Sequence, residues 1–250
     1  MALLSGEGIL FLLRWFHFLA GITWIGMLYY FNFVQTPFFG SKFVADNAAV
    51  RSGIVRGGLL DSALWWFRWG AMFTFITGWL YILHIAFARY GGLREFAATA
   101  YGWKIFFGGM LGTVMWANVW FVIWPGQQVV MASAAAVAGG GQAIPEAAAR
   151  GARAGVTSRT NTMLSIPMLF FMGAASHLAM PGPMSGGQKW GALILLAIVI
   201  IAVEFNALAG PAMGDKTSGG KKMLASLKKT FWAGFILTAI LYFVLAKIFG

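Results

Sequence analysis

The sequence predicts an all-α integral membrane protein, built as a bundle of about six transmembrane helices. Of its 250 residues, 60% are hydrophobic and only 10% are charged, and the mean hydropathy is +0.76. Soluble proteins carry about 25% charged residues, and a soluble fold of this composition would leave large apolar areas in water. Six stretches are also long enough to cross the hydrocarbon layer, which takes about 20 apolar residues.

The predicted spans follow one another as a single transmembrane domain over residues 1–250. Their approximate bounds are 8–33, 62–87, 103–124, 163–181, 190–210 and 231–249. The first is too long and too aromatic for a cleaved signal peptide. Two connections are long, and we expect interfacial helices in both: residues 39–60 are amphipathic, and residues 127–161 are rich in alanine and glycine.

The charges indicate the orientation and exclude several classes of protein. The net charge is +11, and most lysines and arginines lie in the connections after the first, third and fifth spans. Basic loops stay in the cytoplasm, so we expect a bacterial inner-membrane protein with both termini in the periplasm. The cations flank apolar spans instead of forming one dense patch, which argues against nucleic-acid binding. With no cysteine, disulfides, iron–sulfur clusters and covalently attached c-type haem are excluded.

Ionisable side chains inside spans are costly and therefore mark candidate sites. The three histidines, His17, His84 and His177, all fall in the predicted outer half of the membrane. Small residues lie one or two turns from each of them, which leaves room for a flat macrocycle. Histidines from two helices are the usual way in which a helical bundle holds haem b without cysteine. The sequence therefore predicts haem b, with His17 as one axial ligand and His84 or His177 as the other.

Two further residues share the helical stripe of His17 and complete the predicted cofactor site. Arg14 lies one turn before His17 and can meet a haem propionate, and Trp24 lies two turns after it. Arg68 and Glu204 lie near the predicted inner surface, where we expect them to snorkel to the headgroups or to pair with each other. A proton path through Glu204 is an alternative. The arginines of the third connection, Arg150 and Arg153, favour a solvated face on lipid headgroups.

Other interpretations of the same residues remain open. Each histidine can simply bond to a neighbouring helix. A copper-handling protein is a second alternative, because thioether and imidazole ligands suit Cu(I). Its candidate ligands surround the outward end of the fourth span: Met163, Met168, Met172, His177, Met180 and Met184. The 12 tryptophans and short loops also fit a cofactor-free accessory subunit of a larger membrane complex.

Three segments, taken together, resemble a known family. They are RWFH at 14–17 with GITWIG at 21–26, WANVW at 116–120 with IWPGQ at 123–127, and SRTNT at 158–162 running into LSIPMLFFM at 164–172. They resemble the N-terminal membrane domain of the bacterial urate oxidase (urate hydroxylase) family over nearly the whole chain. The stretch 158–172 is the most specific part. The tract around His17 is also similar to copper-resistance membrane proteins and to the membrane protoporphyrinogen oxidase.

The resemblance implies an oxidoreductase that passes electrons from urate toward a terminal oxidase, through a cytochrome c domain after the last span. This sequence stops at Gly250 and has no cysteine for that haem. We therefore expect a haem b redox protein that moves electrons from a substrate or quinol to a separate periplasmic cytochrome c or other complex subunits. Asn118, Arg159 and Asn161 can recognise a planar anion, but the predicted topology places Arg159 and Asn161 on the inner side, far from the histidines. Residues 158–162 are accordingly interpreted first as the cap and anchor of the fourth span.

Overall fold

Six long helices carry the fold. The computed structural model describes residues 2–47, 49–50, 53–54, 57–183, 185–212 and 219–250, and within these ranges it contains helices and no strands. The long helices are α1 (Gly6–Phe39), α2 (Leu59–Tyr90), α3 (Ala100–Ala138), α4 (Ala147–His177), α5 (Gly186–Leu208) and α6 (Leu227–Phe249). Short helices at Lys42–Asp46, Leu93–Phe96 and Gly220–Leu224 lie in the connections.

The predicted all-α membrane bundle is confirmed. Among the described residues, α1, α2, α3, α5 and α6 are long and apolar enough to cross a membrane. The remaining long helix is α4. It is less apolar because it is the most enclosed, packing against α1, α3, α5 and α6. A helix surrounded by protein does not need a lipid-facing apolar surface.

Several helices are longer than the predicted spans. With 34 and 39 residues, α1 and α3 extend about 50 Å or more at 1.5 Å per residue, against a hydrocarbon layer of about 30 Å. The connection 127–161 differs most from expectation, since α3 continues to Ala138 and α4 begins at Ala147. Alanine propagates helices well, and the break comes at Gly140, whose φ is +82°.

The helices alternate in direction, so the two ends of the bundle differ. At one end, the terminal end, lie the start of α1 and the end of α6: His84 Nε2 is 3.3 Å from the Gly6 carbonyl, and Trp103 packs on Phe249. At the other end, the basic end, lie the end of α1, the start of α2, the α3–α4 connection and the α5–α6 connection. Both ends of the described chain are therefore at the terminal end.

Glycines allow the closest contacts between helices. A Cβ atom on Gly70 of α2 would lie 3.1 Å from the Trp24 backbone nitrogen of α1. A Cβ on Gly108 of α3 would lie 3.1 Å from the Met168 carbonyl of α4, and one on Gly234 of α6 would lie 2.8 Å from the Met163 carbonyl. Such close backbone packing is typical of helix pairs in membranes, where van der Waals contact drives association.

Several cations cap helix C-termini. Lys104 Nζ donates to the Leu178 carbonyl just after α4 (2.7 Å), and Arg153 donates to two carbonyls at the end of α5. Arg159 Nη1 donates to the Leu224 and Ala225 carbonyls (2.8 and 2.6 Å), which end the short helix Gly220–Leu224. The last carbonyls of a helix lack backbone partners and carry a partial negative charge. Arg153 therefore stabilises the end of α5, whereas the sequence predicted that it would lie on a solvated helix face against lipid headgroups.

Candidate functional site

His17 is held between α1 and α2, in the half of the bundle nearer the terminal end. Its Nδ1 lies 2.9 Å from the Thr74 carbonyl oxygen and 3.4 Å from Thr77 Oγ1. The ring also lies directly against Gly78, where a Cβ atom would approach Cε1 to 2.9 Å. A carbonyl oxygen can only accept a hydrogen bond, so Nδ1 carries a proton, and in the neutral imidazole Nε2 then keeps its lone pair. His17 is thereby oriented as a ligand that still has a free nitrogen.

The other two histidines lie elsewhere at the terminal end. His84 is half-buried, and its Nε2 lies 3.3 Å from the Gly6 carbonyl oxygen. Two imidazoles that share one ion hold their ligating nitrogens about 4 Å apart, since each bond is about 2 Å long. The His17 ring packs on Gly78, and His84 lies six residues, or about 9 Å, farther along α2. His177 is exposed and is the last residue of α4. The structure thus presents His17 as a single oriented ligand and leaves the second axial ligand a prediction.

Arg14 and Trp24 occupy different environments on the same helix. The Arg14 guanidinium donates to the Tyr81 hydroxyl and lies 5.0 Å from the centre of that ring. Tyr81 in turn shares a hydrogen bond of 3.2 Å with Tyr101. Trp24 is 2% exposed and belongs to the core between α1 and α2, with Phe67 and Ala71. Arg14 is therefore within one turn of His17 and at the protein surface, whereas Trp24 contributes to packing.

The methionines near His177 pack against α3. Met168 and Met172 lie where Cβ atoms on Gly112 and Gly108 would approach them to 3.8 and 3.2 Å. Met163 and Met168 are buried, whereas His177 is exposed, and Met184 lies outside the described residues. Within the described ranges, no three residues among His, Cys, Asp and Glu form a group that could hold a metal ion. The copper alternative depends mainly on methionine sulfurs and therefore stays a prediction.

A buried polar tract of α4 was not anticipated from the sequence. Its members have no exposed surface: Thr157, Thr160, Asn161, Thr162 and Ser165. Because α4 begins at Ala147, residues 158–162 lie within the helix, and their interpretation as a cap is wrong. Serine, threonine and asparagine also favour helix caps, so composition alone did not distinguish the two roles.

This tract, residues 157–165, bonds α4 directly to α1 and α3, and through Asn118 to α5. Asn118 Nδ2 donates to Asn161 Oδ1 and to Glu204 Oε1, both at 2.9 Å. Asn161 Nδ2 donates to the Met115 carbonyl at 2.8 Å, and Asn32 Nδ2 donates to Ser158 Oγ at 2.8 Å. The tract therefore joins α1, α3 and α5, and Glu204 pairs with Asn118.

Arg68 has an aromatic environment in place of the expected pairing. Its guanidinium carbon lies 4.0 Å from the centre of the Trp124 ring, 5.2 Å from that of Trp120 and 5.6 Å from that of Trp69. Its buried Nε has no hydrogen-bond partner among the residues that the structure describes. Stacking on tryptophan stabilises a guanidinium without a carboxylate, so Arg68 and Glu204 are held separately.

Two π-helical segments border a cleft at the basic end. One is Tyr30–Gln35 within α1, and the other is Val119–Ile123 within α3. The cleft has a volume of about 250 Å³ and is lined by α1, α2, α3 and α4. Its polar residues include Gln35 and Gln127, which sequence reasoning missed. A π segment inserts one residue into the helical repeat, so a 3.6-residue periodicity does not align the residues on its two sides.

Comparison with known proteins gives one match. A family model described as urate oxidase N-terminal matches residues 80–208, just over half of the chain. The matched region runs from the second half of α2 to the end of α5, and includes Gln127 and the polar tract of α4. No curated protein and no solved structure matches.

Proposed function

Because the chain belongs to the urate oxidase N-terminal family, we propose that it is a membrane redox domain that holds haem b through His17. In this proposal it passes electrons from a substrate or quinol to a cytochrome c or another subunit of a membrane complex. Haem supplies the one-electron chemistry when it is bound. The residues of this chain supply its ligand, its orientation and its surroundings.

The observation that carries the proposal is the orientation of His17. Histidines that bind metals almost always donate their second ring N–H to a carboxylate, a backbone carbonyl or water. His17 already makes this bond to Thr74, at 2.9 Å, and Gly78 leaves space for the ring. The described residues thus fit one histidine ligand. Arg14 adds a cation one turn away that can pair with a propionate.

The distribution of charge supports an orientation in the membrane. The basic end carries Arg150, Arg153, Arg159 and the lysines of the α5–α6 connection. By the positive-inside rule, this end faces the cytoplasm of a bacterial inner membrane. His17 would then lie toward the periplasm, on the side where a soluble cytochrome can approach.

Replacing His17 with alanine should abolish haem binding, because the one oriented imidazole nitrogen is lost. The measurement is the haem content of detergent-purified protein from haem-replete cells, by the pyridine haemochrome assay and by oxidised and dithionite-reduced spectra. Leu19→Ala serves as the matched control, since Leu19 is exposed on the same helix and carries no ligating group, and it should keep the wild-type haem content; His84→Ala and His177→Ala test the predicted second ligand. If His17 were the sole protein ligand, the reduced wild type would bind carbon monoxide, whereas a second histidine ligand, His84 or His177, would prevent it.

Two results would contradict the proposal. One is a colourless wild-type protein under these conditions, which would favour the accessory-subunit alternative. The other is an unchanged spectrum in His17→Ala. Gly78→Val provides a variant that leaves the ligand in place: its side chain would collide with the His17 ring, and it should reduce the haem content without removing any histidine.

A further inference from the structure

The cleft at the basic end is apolar at its deep end and polar at its mouth. Phe31 and Phe67 lie at the deep end, with their ring centroids 5.5 Å apart. Gln35 and Thr36 lie about one helical turn farther toward the basic end, and Thr36 is exposed. The cleft measures about 250 Å³, below the range of about 300–1,000 Å³ for sites that enclose a drug-sized ligand. It therefore suits a small ligand or the polar end of a larger one.

Arg159 lines the cleft and keeps two of its nitrogens unpaired. Its Nη1 donates to the Leu224 and Ala225 carbonyls at 2.8 and 2.6 Å, whereas Nε and Nη2 have no acceptor within the part of the chain that the structure describes. The N–H groups of Nε and Nη2 lie on one edge of the planar guanidinium. Such an edge pairs with two oxygens of a carboxylate or a phosphate. One nitrogen of Arg159 therefore anchors the side chain, and the other two remain available to an anion.

The guanidinium of Arg159 lies at the level of the lipid headgroups. The carbonyls to which it donates come just before α6, which begins at Leu227. With 23 residues, α6 is about 35 Å long at 1.5 Å per residue, against a hydrocarbon layer of about 30 Å. The start of α6 therefore marks the edge of the hydrocarbon layer at the basic end. Lipid phosphates lie just outside this edge, within reach of the unpaired donors of Arg159.

The charge of the lining favours a headgroup with a net negative charge. Arg159 is the one charged residue among the cleft-lining residues that the structure describes. Gln35 and Gln127 also line the cleft, and neither carboxamide has a hydrogen-bond partner among the described residues. Their donors and acceptors are available to the hydroxyl and ester groups of a lipid. A zwitterionic headgroup would bring an ammonium group for which this lining offers no carboxylate, so an anionic headgroup binds better.

The surface beside the cleft can accommodate acyl chains. Phe33, Val34 and Phe38 of α1 and Leu59 of α2 are exposed apolar residues. In sequence they lie next to or within two residues of the positions that line the cleft. A lipid with its headgroup in the cleft can therefore keep its chains against apolar side chains, where their burial is favourable. A small anion dissolved in water would gain nothing from this surface.

We propose that the cleft binds the headgroup of an anionic phospholipid, with the phosphate on the unpaired edge of Arg159 and the acyl chains in the bilayer. Basic pockets between transmembrane helices bind anionic lipid headgroups in other membrane proteins. The two π-helical segments that border the cleft, Tyr30–Gln35 and Val119–Ile123, are also frequent at functional sites. A bound headgroup bridges α1, α3 and α4, because Gln35, Gln127 and Arg159 come from these three helices.

The test is native mass spectrometry of the full chain in detergent. The probes are dioleoyl phosphatidylglycerol, dioleoyl phosphatidylcholine and dioleoylglycerol, which share their acyl chains. At equal concentrations we expect the wild type to bind phosphatidylglycerol several-fold more than either of the other two. His17→Ala should bind it as the wild type does, because Gln35 lies about 27 Å along α1 from His17. Lipid binding is therefore measured independently of haem.

Two pairs of variants on α4 locate the site. Arg159→Gln should weaken phosphatidylglycerol binding about tenfold, as for the loss of a hydrogen bond to a charged ligand. Its matched control is Arg150→Gln, since Arg150 is exposed and does not line the cleft. Gly155→Leu should weaken binding at least as strongly, because Gly155 lines the cleft and a Cβ atom there meets nothing within 4 Å, so the leucine occupies open space. Gly173 is equally open but lies outside the cleft, and Gly173→Leu should bind like the wild type.

Three outcomes would overturn the proposal. The first is equal binding of phosphatidylglycerol and of either other lipid to the wild type. The second is equal affinity within either pair of variants; if Arg159→Gln does not fold, as judged by gel filtration, the glycine pair decides, since it removes no hydrogen bond. The third is displacement of the lipid by inorganic phosphate as effectively as by a short-chain phosphatidylglycerol, which would identify a site for phosphate dissolved in water.

Discussion

Replacing Gly234 with alanine is expected to destabilise the bundle by about 1–3 kcal/mol, the usual cost of overpacking a close contact. The new Cβ would lie 2.5 Å from Ile166 Cδ1 and 2.8 Å from the Met163 carbonyl oxygen. A side chain can change rotamer, but a backbone carbonyl moves only with its helix. The single methyl group therefore pushes α6 away from α4, the most enclosed helix. Thermal unfolding in one detergent, followed by the fluorescence of the 12 tryptophans, measures the effect.

The control for this prediction is Gly173→Ala on α4. A Cβ at Gly173 meets no atom within 4 Å, and alanine is a better helix former than glycine by up to about 1 kcal/mol. This variant should therefore unfold at the wild-type temperature or above it. Both substitutions add one methyl group to a glycine, so opposite effects on the unfolding temperature isolate the contribution of the α4–α6 contact. Equal midpoints for the two variants would show that this contact does not limit stability.

Most of the fold was predictable, because hydropathy reports directly on contact with lipid.

The boundaries of α4 were less predictable than those of the other long helices. The predicted span 163–181 overlaps the helix Ala147–His177, but hydropathy located only its apolar second half. The first half is alanine-rich and carries Arg150, Arg153 and Arg159, so its hydropathy is too low to indicate a span. Residues 178–183, which follow His177, are not helical, and Pro181 and Pro183 disfavour a continuing helix.

The candidate sites were predictable only in part. The sequence placed all three histidines toward one end, as the structure does, but helical periodicity does not fix how each helix is rotated against its neighbours. The Thr74 carbonyl that orients His17 lies 57 residues away, so no local pattern could reveal it. The cleft was hidden for a second reason. The inserted residue of each π segment shifts the helical face, so Gln35 and Gln127 share no simple stripe with the residues before them.

The buried polar tract provides the second prediction with a large effect: Asn161→Leu should destabilise the protein by about 1–3 kcal/mol. Leucine has a similar size, so the change removes hydrogen bonds and leaves the volume nearly unchanged. Asn161 bonds to Asn118 and to the Met115 carbonyl, and it has no exposed surface. Without it, Asn118 keeps only its bond to Glu204, and α3 loses a direct polar link to α4. The same fluorescence-detected unfolding measures the loss.

Thr160→Val is the control that separates hydrogen bonding from burial. Thr160 is also fully buried on α4, but its hydroxyl has no hydrogen-bond partner within the described part of the chain, and valine has nearly the same shape. Removing an unpaired buried hydroxyl should leave the stability unchanged or raise it. Interhelical hydrogen bonds in membrane proteins can be as weak as about 0.6 kcal/mol, so the comparison is a real test of the tract. If Asn161→Leu is as stable as Thr160→Val, the tract does not hold α3 to α4. Suppose instead that Asn161→Leu loses stability and Thr160→Val does not. If the double variant Asn118→Leu/Asn161→Leu also loses less stability than the sum of the two single losses, the asparagine pair joins the two helices.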